Sequence, residues 1–126
     1  MRKLEPTMML KSAIALATLA SFLWAAPGFA HVDVESSNPA DKATVSSPSE
    51  ITLRFSGPLV VRVSAVKLVD ARGGQVSATL VPTTNSREII AKPDRPLAPG
   101  IYRLTWTAAG EDDGHKMSGN LSFTVK

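Results

Sequence analysis

Two histidines, His31 and His115, carry the distinctive chemistry available to this chain, and they are its only two. The chain opens basic at Arg2, Lys3 and Lys11, then runs uncharged and mostly apolar from Ser12 to Trp24. It closes that stretch on small residues at Gly28 and Ala30. Charged, apolar and small-residue segments in that order predict a secretory signal peptide over 1–30, cut after Ala30. Cleavage there would make His31 the first residue, with a free α-amine beside its imidazole. Amine and ring nitrogen can then close a chelate ring on a metal, which an internal histidine cannot do. The second histidine ends the run Glu111-Asp112-Asp113-Gly114-His115. Two nitrogens from His31, one from His115 and an oxygen from Asp113 would make a square N3O set that suits Cu(II).

Each half has a plainer explanation. The apolar segment as a retained anchor is short for a span, and Pro27 and Gly28 interrupt it before roughly 20 apolar residues accumulate. His115 alone would be a solvated loop residue, and Asp113-Gly114 alone is turn chemistry. The pairing of a terminal histidine with the one other histidine favours a metal.

The elements that must position these groups are strands. Val32 and Val34 alternate with Asp33 and Glu35, and Ser36-Ser37-Asn38-Pro39 is expected to end that strand. Ile51, Leu53 and Phe55 form a second inward row. Val61–Val69 reads as one longer strand whose phase slips near Ala65-Val66, as at a bulge. Asp70–Gly74 is a turn, Gln75–Val81 a strand, and Glu88–Ala91 a short one. Lys92–Gly100 holds three prolines and is expected to be a loop. Tyr102, Leu104, Trp106 and Ala108 alternate, as do Leu121, Phe123 and Val125. About seven strands without helical periodicity predict an all-β antiparallel sandwich of immunoglobulin type, with a small closed barrel as the alternative. Gly110–Lys116 would then join the last two strands. Residues i and i+2 of an extended segment point the same way, so Asp113 and His115 are expected to face one ion. Asp112, their neighbour, is the alternative ligand to Asp113, although in an extended segment it would point the other way.

Residues 31–126 are enough for one small domain. The leader takes three of the fourteen basic and one of the eleven acidic residues, leaving a net charge of +1. No basic face interleaved with aromatics appears, which argues against nucleic-acid binding. The chain has no cysteine, so disulfides and thiolate ligands are both excluded. An exported domain of this size must rely on its apolar core.

The residues resemble the periplasmic copper-resistance protein C family, often called CopC-like. The likeness spans His31, Ser37-Asn38-Pro39-Ala40, Pro48, and Leu53-Arg54-Phe55-Ser56 with Pro58. It continues through Leu97-Ala98-Pro99-Gly100-Ile101-Tyr102, Leu104, Trp106, Asp113-Gly114-His115, Gly119 and Phe123. The resemblance implies a seven-stranded cupredoxin- or immunoglobulin-like Greek-key fold over 31–126 that binds one Cu(II) per chain in the periplasm. The implied ligands are the amine and ring of His31, the Asp113 carboxylate and the His115 ring. It also implies a monomer that sequesters copper, or passes it to an inner-membrane partner resembling copper-resistance protein D. Some members carry a methionine-rich loop for Cu(I). Beyond residue 30 this chain has one methionine, Met117, which suggests a Cu(II)-only member.

Two competing functions make different predictions. A histidine brace on a β-sandwich is also the copper site of lytic polysaccharide monooxygenases. Those enzymes are longer and present a flat polysaccharide-binding face, for which 31–126 has little room. An Asp113 ligand would also occupy a position that oxygen chemistry needs open. A structural sandwich domain with incidental histidines would show no metal dependence. No nucleophile–base pair stands out among the serines, so hydrolysis has little support.

Overall fold

The computed structural model of the protein describes residues 31–126, and the leader expected over 1–30 lies outside the described residues. Strand β8 (Gly100–Ala109) shows most plainly how the sequence builds the core. Tyr102, Leu104, Trp106 and Ala108 are buried while Arg103, Thr105 and Thr107 face solvent. Its partner β9 (Lys116–Val125) buries Leu121, Phe123 and Val125 by the same period-two rule. These two lie in a five-stranded sheet ordered β2 (Ala43–Val45), β9, β8, β4 (Ala65–Asp70) and β5 (Gln75–Val76). The second sheet runs β1 (Val34–Asn38), β3 (Ile51–Phe55), β7 (Glu88–Pro93) and β6 (Ala78–Val81).

The inward rows of the two sheets meet in one apolar cluster, and no polar or charged residue is buried among the described residues. Phe55 of one sheet meets Trp106 of the other edge-on, with ring centroids 5.0 Å apart and planes at 84°. The indole lies over the backbone of Gly119. A Cβ there would sit 2.7 Å from the ring, so a side chain at that position would displace it. The result is the all-β Greek-key sandwich that the alternation predicts.

The differences from the expected strands have local causes. Among the described residues, nine strands replace about seven because β2 is a three-residue addition and Gln75–Val81 divides into β5 and β6. The chain changes sheet at Ser77, between those two. There the hydroxyls of Ser77 and Thr79 donate to the Asp94 carboxylate and hold its pKa below the ordinary aspartate value. β2 pairs with β9 in parallel, the one exception to antiparallel strand pairing among the described residues. Val61–Val69 is not a single strand. Val61–Val63 forms a 3₁₀ turn with Val61 and Val63 exposed, and β4 begins at Ala65. Apolar type alone misled there, because the turn faces away from the core.

The first strand also runs later than expected, through Ser36, Ser37 and Asn38, with a register shift between Val34 and Ser36 that leaves Val34 exposed. Lys92 and Pro93 belong to β7 rather than to the loop that follows it.

Candidate metal site

The sheet pairing brings the two histidines to one end of the sandwich. β8 ends at Ala109 and β9 begins at Lys116, so residues 110–115 form the connecting hairpin loop. The loop is a tight turn rather than the extended segment expected. The Gly110 N–H donates to the His115 carbonyl at 3.2 Å, and the Gly114 N–H donates to the Gly110 carbonyl at 2.9 Å. Gly114 sits at φ +66, where a side chain would be strained. The carboxylate of Asp113 closes the turn, its Oδ1 accepting the His115 N–H at 2.9 Å. Asp113 and His115 are thus coupled through a turn and not through strand alternation.

His31 arrives from the other side. The N–H of Asp33 donates to the Ser56 hydroxyl at 2.9 Å, and the Ser56 N–H donates to the Asp33 carbonyl at 2.8 Å. This ties the first described residues alongside the segment that leaves β3. Val32 packs against the core. The two halves meet in a cavity of about 150 Å³ lined by His31, Val32, Asp33, Gly110, Asp113, His115 and Met117.

All three expected ligands line this cavity. They do not close into a ligand cage, since no group of three or more His, Cys, Asp or Glu side chains among the described residues is gathered tightly enough to hold a metal. His31, Asp113 and His115 are solvent-exposed, which leaves their donors accessible to an incoming ion. Asp112 is not among the lining residues.

Asp33 and Met117 are, and the Asp33 contribution was missed from sequence although its signal was present. Asp33 lies two residues after His31, so alternation places both on one face. Two imidazoles with carboxylates fit a borderline or hard divalent ion, and the Met117 thioether is the only soft donor lining the cavity.

The structure is thus a small two-sheet β-sandwich with histidine and carboxylate side chains lining a cavity at one end. More narrowly, the chain belongs to the CopC family, the CopC domain matching residues 34–126. It is 34% identical over 121 residues to a copper resistance protein C of Xanthomonas campestris pv. juglandis, covering 90% of this chain and 94% of the relative. A copper resistance protein C of Escherichia coli is 34% identical over 105 residues, covering 77% and 82%. Among solved structures, PcoC, a methionine-rich copper resistance protein from Escherichia coli, superposes with a TM-score of 0.71 at 34% identity. That match covers 77% of this chain and all of PcoC. CopC from Methylosinus trichosporium OB3b gives 0.70 at 28% identity, covering 76% and 94%. These relatives support a role in copper resistance.

Proposed function

We propose that the protein is a monomeric periplasmic Cu(II) carrier that binds one ion through the amine and imidazole of His31, the Asp113 carboxylate and the His115 imidazole. The observation that carries this reading is the shared cavity, which joins His31 to a loop more than seventy residues away in sequence. In the uncut chain the nitrogen of His31 belongs to its peptide bond with Ala30. Export and cleavage would create the amine, so the chelate would form only after the protein has reached its compartment. The carrier either sequesters copper or passes it to an inner-membrane partner resembling copper-resistance protein D.

A binding role suits the surface better than polysaccharide oxidation. Phe55, Tyr102, Trp106 and Phe123, the four aromatic residues of 31–126, are all buried, which leaves no aromatic platform on the described surface. Protein processed to begin at His31 should bind Cu(II) far more tightly than protein carrying one extra residue ahead of it. Equal affinity would exclude the amine chelate. Incubation with polysaccharide, copper and reductant should release no oxidised fragments.

A further inference from the structure

The segment that leaves β3, Ser56–Val60, is bonded to both halves of the site. At its start, Ser56 holds Asp33 through the paired bonds of 2.9 and 2.8 Å, and its hydroxyl also lies 3.4 Å from the His31 carbonyl, to which it donates. Farther on, the Pro58 carbonyl accepts the Glu111 N–H at 2.9 Å, and the Val60 N–H donates to the Ala109 carbonyl at 2.8 Å. One short segment therefore sets where residues 31–33 lie relative to the loop of Asp113 and His115.

The fit between the halves depends on two missing side chains. A Cβ at Gly57 would lie 3.0 Å from a methyl of Val32. A Cβ at Gly110 would lie 3.3 Å from the same methyl and 3.2 Å from Asp113 Oδ1. Val32 thus packs closely against both glycines, where an added Cβ would force it to shift by a few tenths of an ångström, and Gly110 lies against both the residue beside His31 and a proposed ligand.

We propose that Ser56 and Gly110 are positioning residues of the metal site: Ser56 ties the terminal residues down, and Gly110 leaves the space that seats them against the loop. This rests on the Cu(II) reading above. A chain terminus is otherwise free to fray, and ordering it at the moment of binding would reduce affinity. The seat makes that ordering in advance.

The test uses protein beginning at His31, with Cu(II) itself as the probe. Ser56→Ala removes the hydroxyl that serves both Asp33 and His31, and Cu(II) affinity should fall about tenfold. Ser56→Thr, which keeps the hydroxyl, should restore it. Gly110→Ala should weaken binding and alter the Cu(II) electron paramagnetic resonance spectrum, because it pushes on both halves of the site. Thr79→Ala, far along the fold, should leave affinity and spectrum unchanged. Backbone order of residues 31–33 in the copper-free protein, read by NMR relaxation, should drop in Ser56→Ala and return in Ser56→Thr.

Unchanged order of residues 31–33 in Ser56→Ala would overturn the proposal, as would wild-type affinity with a wild-type spectrum in both Ser56→Ala and Gly110→Ala. If the wild type bound no Cu(II) while the order of residues 31–33 still depended on Ser56, the copper reading would fall and the seat would stand.

Discussion

The carboxylate of Asp113 accepts the backbone N–H of His115 at 2.9 Å, so one proposed ligand shapes the turn that presents the other. Charge and turn geometry can be separated by substitution. Asp113→Asn keeps an oxygen able to accept that N–H but removes the negative charge. Asp113→Ala removes both. Titration should show Cu(II) affinity falling about tenfold or more in Asp113→Asn and further in Asp113→Ala, a tenfold loss being ~1.4 kcal/mol. Only the alanine variant should also shift the His115 amide resonance in the copper-free protein.

Protons should compete with the metal. An amine or imidazole nitrogen must be unprotonated to coordinate, so binding releases protons and weakens as they become abundant. Apparent Cu(II) affinity should therefore fall as the solution is acidified. An affinity that does not respond to mild acidification would mean that no nitrogen ligand holds the ion.

Copper should stabilise a domain that folds without it. The core is wholly apolar and the cavity lies at its end, so the copper-free protein should keep its β-structure by circular dichroism. A ligand bound only to the folded state adds about 4 kcal/mol at a thousandfold excess over its Kd. Tm should therefore rise with added Cu(II) in the wild type and much less in His115→Ala.

The opposite pattern is expected at Trp106. The indole is buried, packed edge-on against Phe55, and lies over Gly119. Trp106→Ala should cost roughly 3–5 kcal/mol in denaturant unfolding, with or without copper. Gly119→Ala should also destabilise, since its Cβ would overlap the ring.

Redox state should decide retention. Met117 packs partly into the core while lining the cavity, and it is the one sulfur there. Nitrogen and oxygen donors suit Cu(II), whereas Cu(I) prefers several soft ligands. A reductant with a Cu(I)-specific chelator should strip the metal quickly, and Met117→Leu should leave Cu(II) affinity near wild type. Retention of Cu(I) that disappears in Met117→Leu would make Met117 a ligand.

The strands of the core were legible in the chain because each inward side chain lies two residues from the next, as from Tyr102 to Ala108 and from Leu121 to Val125. That spacing is a local property of extended backbone. The two histidines and the absence of thiols were equally legible, since they depend on residue type alone. Where periodicity is weak or the partner is distant, tertiary structure decided the outcome. Val61–Val63 became an exposed turn because packing, not hydrophobicity, chooses which apolar residues are covered. β2 exists only by pairing with β9, across most of the chain. Asp113 faces the site through a turn closed by its own carboxylate rather than through strand alternation. The meeting of His31 with the Asp113–His115 loop also depends on Ser56 and on the space left by Gly57 and Gly110. Those contacts join segments distant in sequence, and only the folded chain brings them within bonding range.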